Sequence, residues 1–378
     1  MLKIPSAKNA LMAMVVIAAC IMFAELTLKV ISPQHCYAYP KGMVQEDKGL
    51  CYKISPDYEG RIKTAEFDIT ITTNSHGLRD AEHSYEKPNG TLRILGLGDS
   101  FQFGVGVQSN QTYLKLLERE LQQKGFHAEV INAGVLGYGT RQELQYFKDE
   151  GRRYKPEIVI LSFYQNDLLD NMLTAESCNR FVRDGYLVDN FTASQRAASF
   201  KIKLFLNQKS DLYCLAKNSA LRLAPKIRIG DIQANLSSET VLTYLEKGNL
   251  SPAIQERFNV TFGLILQLKQ AVQADGGRLI IVIIPDQLQV DKNILKTITD
   301  SYRLDIDKYD LTKLGKILVQ FATSQNITAI DLLPDFQQQA GNEKLYYPIE
   351  AHWNPRGHLL AAEVVGEKIE DYLNKTAS

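Results

Sequence analysis

The sequence predicts an α/β protein of three layers, α/β/α, built on a central parallel sheet, with an N-terminal transmembrane helix and an inserted cap region. Three features of the 378 residues carry this expectation. From Arg93 onward, short and nearly continuous apolar runs alternate with amphipathic stretches, the pattern of parallel strands covered on both faces. The N-terminus holds an apolar run long enough to span a bilayer. Residues 172–250 break the βα rhythm and read as an insertion.

Lys3 and Lys8 precede an uncharged stretch from Ala10 to Ala24, and Glu25 and Lys29 follow before Ile31. Lysines ahead of the apolar run favour a signal anchor with a cytoplasmic N-terminus and the bulk of the chain periplasmic or extracellular/lumenal. A cleaved signal peptide is the weaker reading, since no A-x-A site leads into polar sequence. A lipoprotein signal at Ile17-Ala18-Ala19-Cys20 is disfavoured because apolar residues continue past Cys20. Cys36, Cys51, Cys178 and Cys214 allow three pairings. The local choice, Cys36–Cys51 with Cys178–Cys214, suits a non-cytosolic compartment; the alternative is four buried thiols. The expected division is residues 1–31 as tail and anchor, 32–90 as a membrane-proximal β-rich segment, and 91–375 as the main domain.

Within 32–90, Phe67 to Asn74 alternates apolar and polar residues, as a half-exposed strand does. Lys87 to Thr91 is a turn. Strands are expected at Arg93–Gly98, Ala128–Gly134, Pro156–Asp167, Arg278–Asp286 and Ile327–Leu332. Helices are expected at Thr112–Gly125, Thr140–Tyr154, Ser251 to Gly277, and Asn354–Leu373. Inside the insertion, Asp184-Gly185 marks a hairpin between Phe181 and Val188. Lys201 to Arg228 holds seven Lys/Arg and a single acid, Asp211, threaded with apolar residues. It reads as a helical insertion with a solvated basic face, or as a cap meeting anionic substrate or lipid headgroups.

Ligand sites in open α/β sheets lie beyond the carboxyl ends of the strands. The first strand ends on Gly98-Asp99-Ser100, the second runs into Asn132 to Gly137, and the third ends on Gln165-Asn166-Asp167. Glu350-Ala351-His352-Trp353-Asn354 precedes the last helix. A serine hydroxyl needs a base to become a nucleophile, and histidine suits that role near neutral pH. A tetrahedral intermediate needs donors for its oxyanion, which glycine N–H groups and an asparagine amide supply. The inventory fits acyl-ester chemistry.

These blocks resemble the SGNH (GDSL-type) hydrolase family over roughly residues 91–375. Gly98-Asp99-Ser100-Phe101 is similar to the first block, with Ser100 as nucleophile. Asn132 to Gly137 resembles the second, with Gly137 as an oxyanion glycine. Tyr164-Gln165-Asn166-Asp167 resembles the third without its usual glycine, with Asn166 as side-chain donor beside the N–H groups of Ser100 and Gly137. His352 matches the last block as base. The usual acid three residues earlier is Ile349 here, and Glu350 is the nearest carboxylate, resembling the Asp-x-His-Trp-Asn of membrane-anchored members. Without Glu350, a backbone carbonyl would hold the imidazole, giving a Ser-His dyad. The resemblance implies a flavodoxin-like fold, no cofactor, and a structural place for Asp99, Asp167 and His358.

Lys+Arg and Asp+Glu both number 43, so no global field draws the chain to nucleic acid. Neither a zinc spacing, a dinucleotide fingerprint nor a Walker A motif occurs. The expected activity is a serine esterase or O-acyltransferase on acyl esters, with acetyl groups on an envelope or extracellular glycan as substrate. A lipase or lysophospholipase and a non-catalytic assembly protein on the same fold are the alternatives. The expected partners are the acyl-ester substrate, glycan or lipid, and the membrane through the N-terminal helix.

Overall fold

The computed structural model describes residues 7–34, 40–172, 180–189, 202, 205–207, 209–223 and 241–377. An apolar helix, Ala7–Ile31, comes first and has no buried residue. Its mean hydropathy reaches 2.4, and it is the one described helix long and apolar enough to cross a membrane. Two antiparallel hairpins follow, β1 (Val44–Asp47) with β2 (Cys51–Ile54) and β3 (Glu59–Lys63) with β4 (Asp68–Thr72). β4 alternates exposed and buried positions, as expected for a half-exposed strand. β1 to β3 are only four or five residues long, too short for a periodic signal.

The central sheet has five parallel strands: β5 (Leu92–Gly98), β6 (Ala128–Gly134), β7 (Ile158–Phe163), β10 (Arg278–Ile283) and β11 (Thr328–Asp331). Between β7 and β10, β8 (Arg180–Arg183) and β9 (Tyr186–Asp189) form the expected hairpin. Asp184 at φ 52° and Gly185 at φ 80° make its turn, the left-handed pair that matches strand twist. The order across the main sheet is β11-β10-β7-β5-β6. After β5 the chain steps to one side for β6 and then crosses to the other for β7. The crevice between the ends of β5 and β7 is therefore the topological switch point, where this architecture binds ligands.

Neighbouring strand residues serve opposite layers. Ile94, Val130, Ile160 and Val282 pack in one buried cluster with Leu117 and Val365, from helices Tyr113–Gln123 and Pro355–Ala377. Leu95, Ile131, Leu161 and Ile281 pack in the other with Phe258 and Leu268, from helix Pro252–Ala274. That helix starts as its sequence suggests, with Ser251 accepting the Ile254 N–H and proline in the first turn. The expected helix from Thr140 to Tyr154 stops at Asp149 and continues as a 3₁₀ turn, Gly151–Tyr154. Helices Lys292–Tyr302 and Lys313–Ser324 link β10 to β11 and were not anticipated.

The apolar helix touches the rest of the chain through its acid. Glu25 accepts hydrogen bonds from Ser210 Oγ at 2.9 Å, Asp211 N at 2.8 Å and Leu212 N at 3.0 Å. It thereby caps the helix Asp211–Leu223 of the insertion. The remaining residues between 190 and 240, including part of the basic stretch, lie outside the described residues. Cys51 and Cys214 each carry a disulfide, while Cys20 is free. No disulfide has both members among the described residues, and Cys36 and Cys178 lie outside them.

The sheet also limits what can stand at the end of β6. A Cβ on Gly134 would lie 2.4 Å from the backbone nitrogen of Phe103, in the short helix Ser100–Phe103. Backbone cannot yield as a flexible side chain does. Gly134→Ala is expected to cost about 1–3 kcal/mol, read as a lower urea midpoint at unchanged slope. An unchanged midpoint would mean that the helix Ser100–Phe103 is not pinned to β6.

Candidate active site

Ser100 opens the short helix that follows β5. Asp99 caps this helix, its Oδ1 accepting the Phe101 N–H at 2.9 Å. Gly104, at φ 82°, ends it after a single turn. The last carbonyls of such a helix have no internal partner. Here Arg79, from the segment before the sheet, supplies one. Its guanidinium donates to the carbonyls of Phe103 (2.9 Å), Gly104 (2.6 Å) and Val107 (2.5 Å). Arg79 is 1% exposed, and burial pulls its guanidinium down to about 9. Nothing in the sequence singled out this arginine.

His352 arrives from the opposite end of the chain. Its Nε2 lies 2.9 Å from Ser100 Oγ, and its Nδ1 lies 2.9 Å from the backbone oxygen of Glu350. A carbonyl can only accept, so Nδ1 carries the proton. In the neutral imidazole Nε2 then offers its lone pair to the Ser100 hydroxyl. This is the tautomer required for a base to take the serine proton. Glu350, expected as the orienting acid, meets Nδ1 through its main chain. Ala351, at φ 58°, follows the bonded carbonyl and occupies the left-handed region at a cost of about 1–2 kcal/mol. The imidazole also sits 5.0 Å from the Phe101 ring, which faces Tyr164 at 4.6 Å and the fully buried Trp353 at 5.2 Å.

Gly137 stands in the loop after β6 at φ 73°, where a Cβ would lie 1.7 Å from Arg180 Nη1. The loop is braced from β2, where the Tyr52 hydroxyl donates to the Leu136 carbonyl at 2.7 Å. Asn166 follows β7, with Nδ2 donating to Asp170 Oδ2 at 3.3 Å and its amide also meeting the Asp99 carboxyl. The parallel strand ends thus bring the loops of Ser100, Gly137 and Asn166 to one edge of the sheet. His358 is buried away from this chemistry. Its Nδ1 accepts the Tyr113 N–H at 3.2 Å, and burial, with the charges of Arg79 and His352, lowers it to about 3.

The carboxyls beneath the site are dry. Asp99 is 1% exposed, and burial lifts it to about 7, against the pull of its bonds to Phe101 N and Asn166. Burial and the Asp99 charge push Glu143 well above the usual carboxylate range. Asp167, buried and facing Glu143 and Asp99, is pushed up likewise, and takes the Thr140 hydroxyl at 3.1 Å. Among the described residues, no group of three or more His, Cys, Asp or Glu side chains is placed to hold a metal ion.

Residues 244–377, which include His352 but not Ser100, match the family described as SGNH hydrolase-like domain, acetyltransferase AlgX. Esterase TesA of Pseudomonas aeruginosa is 28% identical over 83 residues, 22% of this chain and 41% of that protein. The aligned stretch is thus less than half of that relative. Among solved structures, the acetyl xylan esterase AlAXEase aligns at 14% identity and a TM-score of 0.40, over 73% of this chain and 99% of its own. A lipase/acylhydrolase from Enterococcus faecalis aligns at 14% identity and a TM-score of 0.39, over 74% and 96%.

Two outcomes follow from this geometry. Since Glu350 meets the imidazole through its backbone, Glu350→Ala is expected to lower kcat/KM less than about tenfold. A loss near 10⁴, as when a triad carboxylate is removed, would return that role to the side chain. For Asp99, a folded value of about 7 lies well above the ordinary range of an aspartate carboxyl. The folded state therefore holds its proton more tightly, and stability is lost as pH rises from that range to about 7. Asp99→Asn keeps a cap oxygen and removes the proton, so its stability relative to wild type is expected to rise from pH 4 to pH 8. A difference independent of pH, in urea titrations, would contradict a protonated Asp99.

Proposed function

We propose that this chain, which belongs to the SGNH hydrolase family, is a serine-dependent acyl-ester enzyme whose substrate is an acetyl ester on an envelope or extracellular glycan. The observation that carries the reading is the Ser100–His352 hydrogen bond of 2.9 Å, with the imidazole held in the receptive tautomer by the Glu350 carbonyl.

His352 Nε2 takes the Ser100 proton as Oγ attacks the ester carbonyl carbon. The negative charge that develops on the carbonyl oxygen is met by the N–H groups of Ser100 and Gly137 and by the Asn166 amide. The tetrahedral intermediate collapses, the C–O bond to the alcohol breaks, and His352 returns its proton to the departing oxygen. An acyl-Ser100 ester remains. A water or a second sugar hydroxyl then gives its proton to His352 and attacks the acyl carbon; the bond from that carbon to Ser100 Oγ breaks, and His352 returns the proton to Oγ. Water makes the enzyme an esterase, and a sugar makes it an O-acyltransferase.

The acetyl part of the reading is supported by the match to an acetyltransferase family over residues 244–377, the portion that supplies the histidine. The apolar helix Ala7–Ile31 supports an anchor that holds the domain outside the cytoplasm. Segments 32–90 and 91–375 then form one outward-facing body, with helix Asp211–Leu223 of the insertion beside the anchor.

The test uses the full chain in detergent. A fluorophosphonate probe is expected to label wild type, and Ser100→Ala and His352→Ala are expected not to react. Across esters from acetyl to long-chain acyl, kcat/KM is expected to peak at acetyl. A maximum at long chains would favour a lipid substrate, and a folded wild type that does not label would favour a non-catalytic protein.

A further inference from the structure

In the mechanism above, a positive charge forms on an imidazole whose Nδ1 faces an uncharged main-chain carbonyl. A carboxylate stands one residue behind that carbonyl, and it comes from a distant part of the chain. Glu66 lies in the tip joining β3 to β4, within the segment that precedes the sheet. Its Oε1 accepts the Ile349 N–H at 2.9 Å, and its Oε2 accepts the N–H groups of Ile349 at 3.0 Å and Glu350 at 2.7 Å. Residue 350 is thus held at both ends, its N–H on Glu66 and its carbonyl on His352.

The tip that carries Glu66 is itself fixed. The Thr64 hydroxyl accepts the N–H groups of Glu66 at 3.1 Å and Phe67 at 3.2 Å. The Phe67 ring lies 5.3 Å from that of Tyr347, whose hydroxyl donates to the Gly106 carbonyl at 2.9 Å. Hairpin tip, histidine loop and the chain after Ser100 therefore pack as one unit. Consecutive backbone N–H groups in a turn form a concavity for an anion, and hydrogen bonds to a carboxylate are about twice as strong as neutral ones. Such a grip offsets the left-handed backbone at Ala351.

We propose that Glu66 is the acidic positioning residue of this site: by gripping Ile349 and Glu350 it sets the Glu350 carbonyl on His352 and supplies the negative charge that a triad carboxylate supplies elsewhere. The proposal rests on the serine–histidine reading and deepens it. Among the described residues, the other titratable groups near His352 include Glu350 on its own loop, Asp99 beneath Ser100, and His358 on the last helix, which feels the charges of Arg79 and His352. His358 stays neutral at working pH, and Arg79 is a cation that opposes the Glu66 carboxylate. Tyr347 is the titratable neighbour of Glu66, which raises it further beyond the effect of burial.

The experiment follows the rate of fluorophosphonate labelling from pH 5 to pH 9 in the full chain, for wild type, Glu66→Gln, Glu66→Asp and Ser100→Ala. Glu66→Gln is expected to label about 10- to 100-fold more slowly. The midpoint of its acid limb is expected to fall by about half a pH unit or more, because a nearby anion favours the protonated imidazole. Glu66→Asp is expected to keep the wild-type midpoint and recover part of the rate. A Glu66→Gln variant with wild-type rate and midpoint, while Ser100→Ala is inert, overturns the role of Glu66 alone. Labelling that survives Ser100→Ala overturns the serine reading and the proposal with it. Should Glu66→Gln melt more than about 10 °C below wild type, Glu66→Asp decides: a slower rate at the wild-type midpoint supports the role, and a wild-type rate overturns it.

Discussion

A peptide carbonyl cannot donate a hydrogen bond, and this one-way character organises the site. By taking the Nδ1 proton of His352, the Glu350 carbonyl leaves Nε2 as the side of the ring that can receive the Ser100 proton. A carboxylate in that place would fix the same tautomer and bring charge as well. A carbonyl brings only geometry, so its direction must be held by the loop around it. The bond from Tyr347 N to the His352 carbonyl, the bond from Ala351 N to the Tyr347 carbonyl, and the Tyr346–Trp353 bridge close that loop on itself. The buried Trp353 ring then seals its underside against Phe101 and Phe336.

Charge near Ser100 is arranged by burial as much as by pairing. Asp99, Glu143 and Asp167 sit where ionisation is opposed by missing water, and each is pushed toward its neutral form. Arg79 is buried too, but three carbonyl oxygens surround its guanidinium. With a value of about 9 it keeps its charge at neutral pH.

The parts legible in the sequence are those whose physics is written in side chains. Apolar runs marked all five strands of the main sheet, and glycine with asparagine or aspartate marked the turns at their ends. Ser100 and His352, 252 positions apart, meet as their separate motifs implied. The illegible parts are those that work through the backbone. The acid expected to orient the imidazole was the Glu350 side chain, whereas the Glu350 carbonyl bonds it, and any residue carries a carbonyl. Arg79 and Glu66 were invisible for the same reason: each holds main-chain atoms far along the chain, and a peptide group leaves no trace in residue identity. The division at residue 90 followed the strand rhythm, whereas the packing runs across it.

Glu25 shows the same economy at the other end of the molecule. It is the one acid of helix Ala7–Ile31, and it closes the first turn of helix Asp211–Leu223. An anchor joined only by a linker could be cut away without changing what it tethers. Here the cut would leave the Asp211 and Leu212 N–H groups without their acceptor and would loosen the start of the insertion. A fragment prepared without the apolar helix is therefore a different molecule around helix Asp211–Leu223, not the same molecule released.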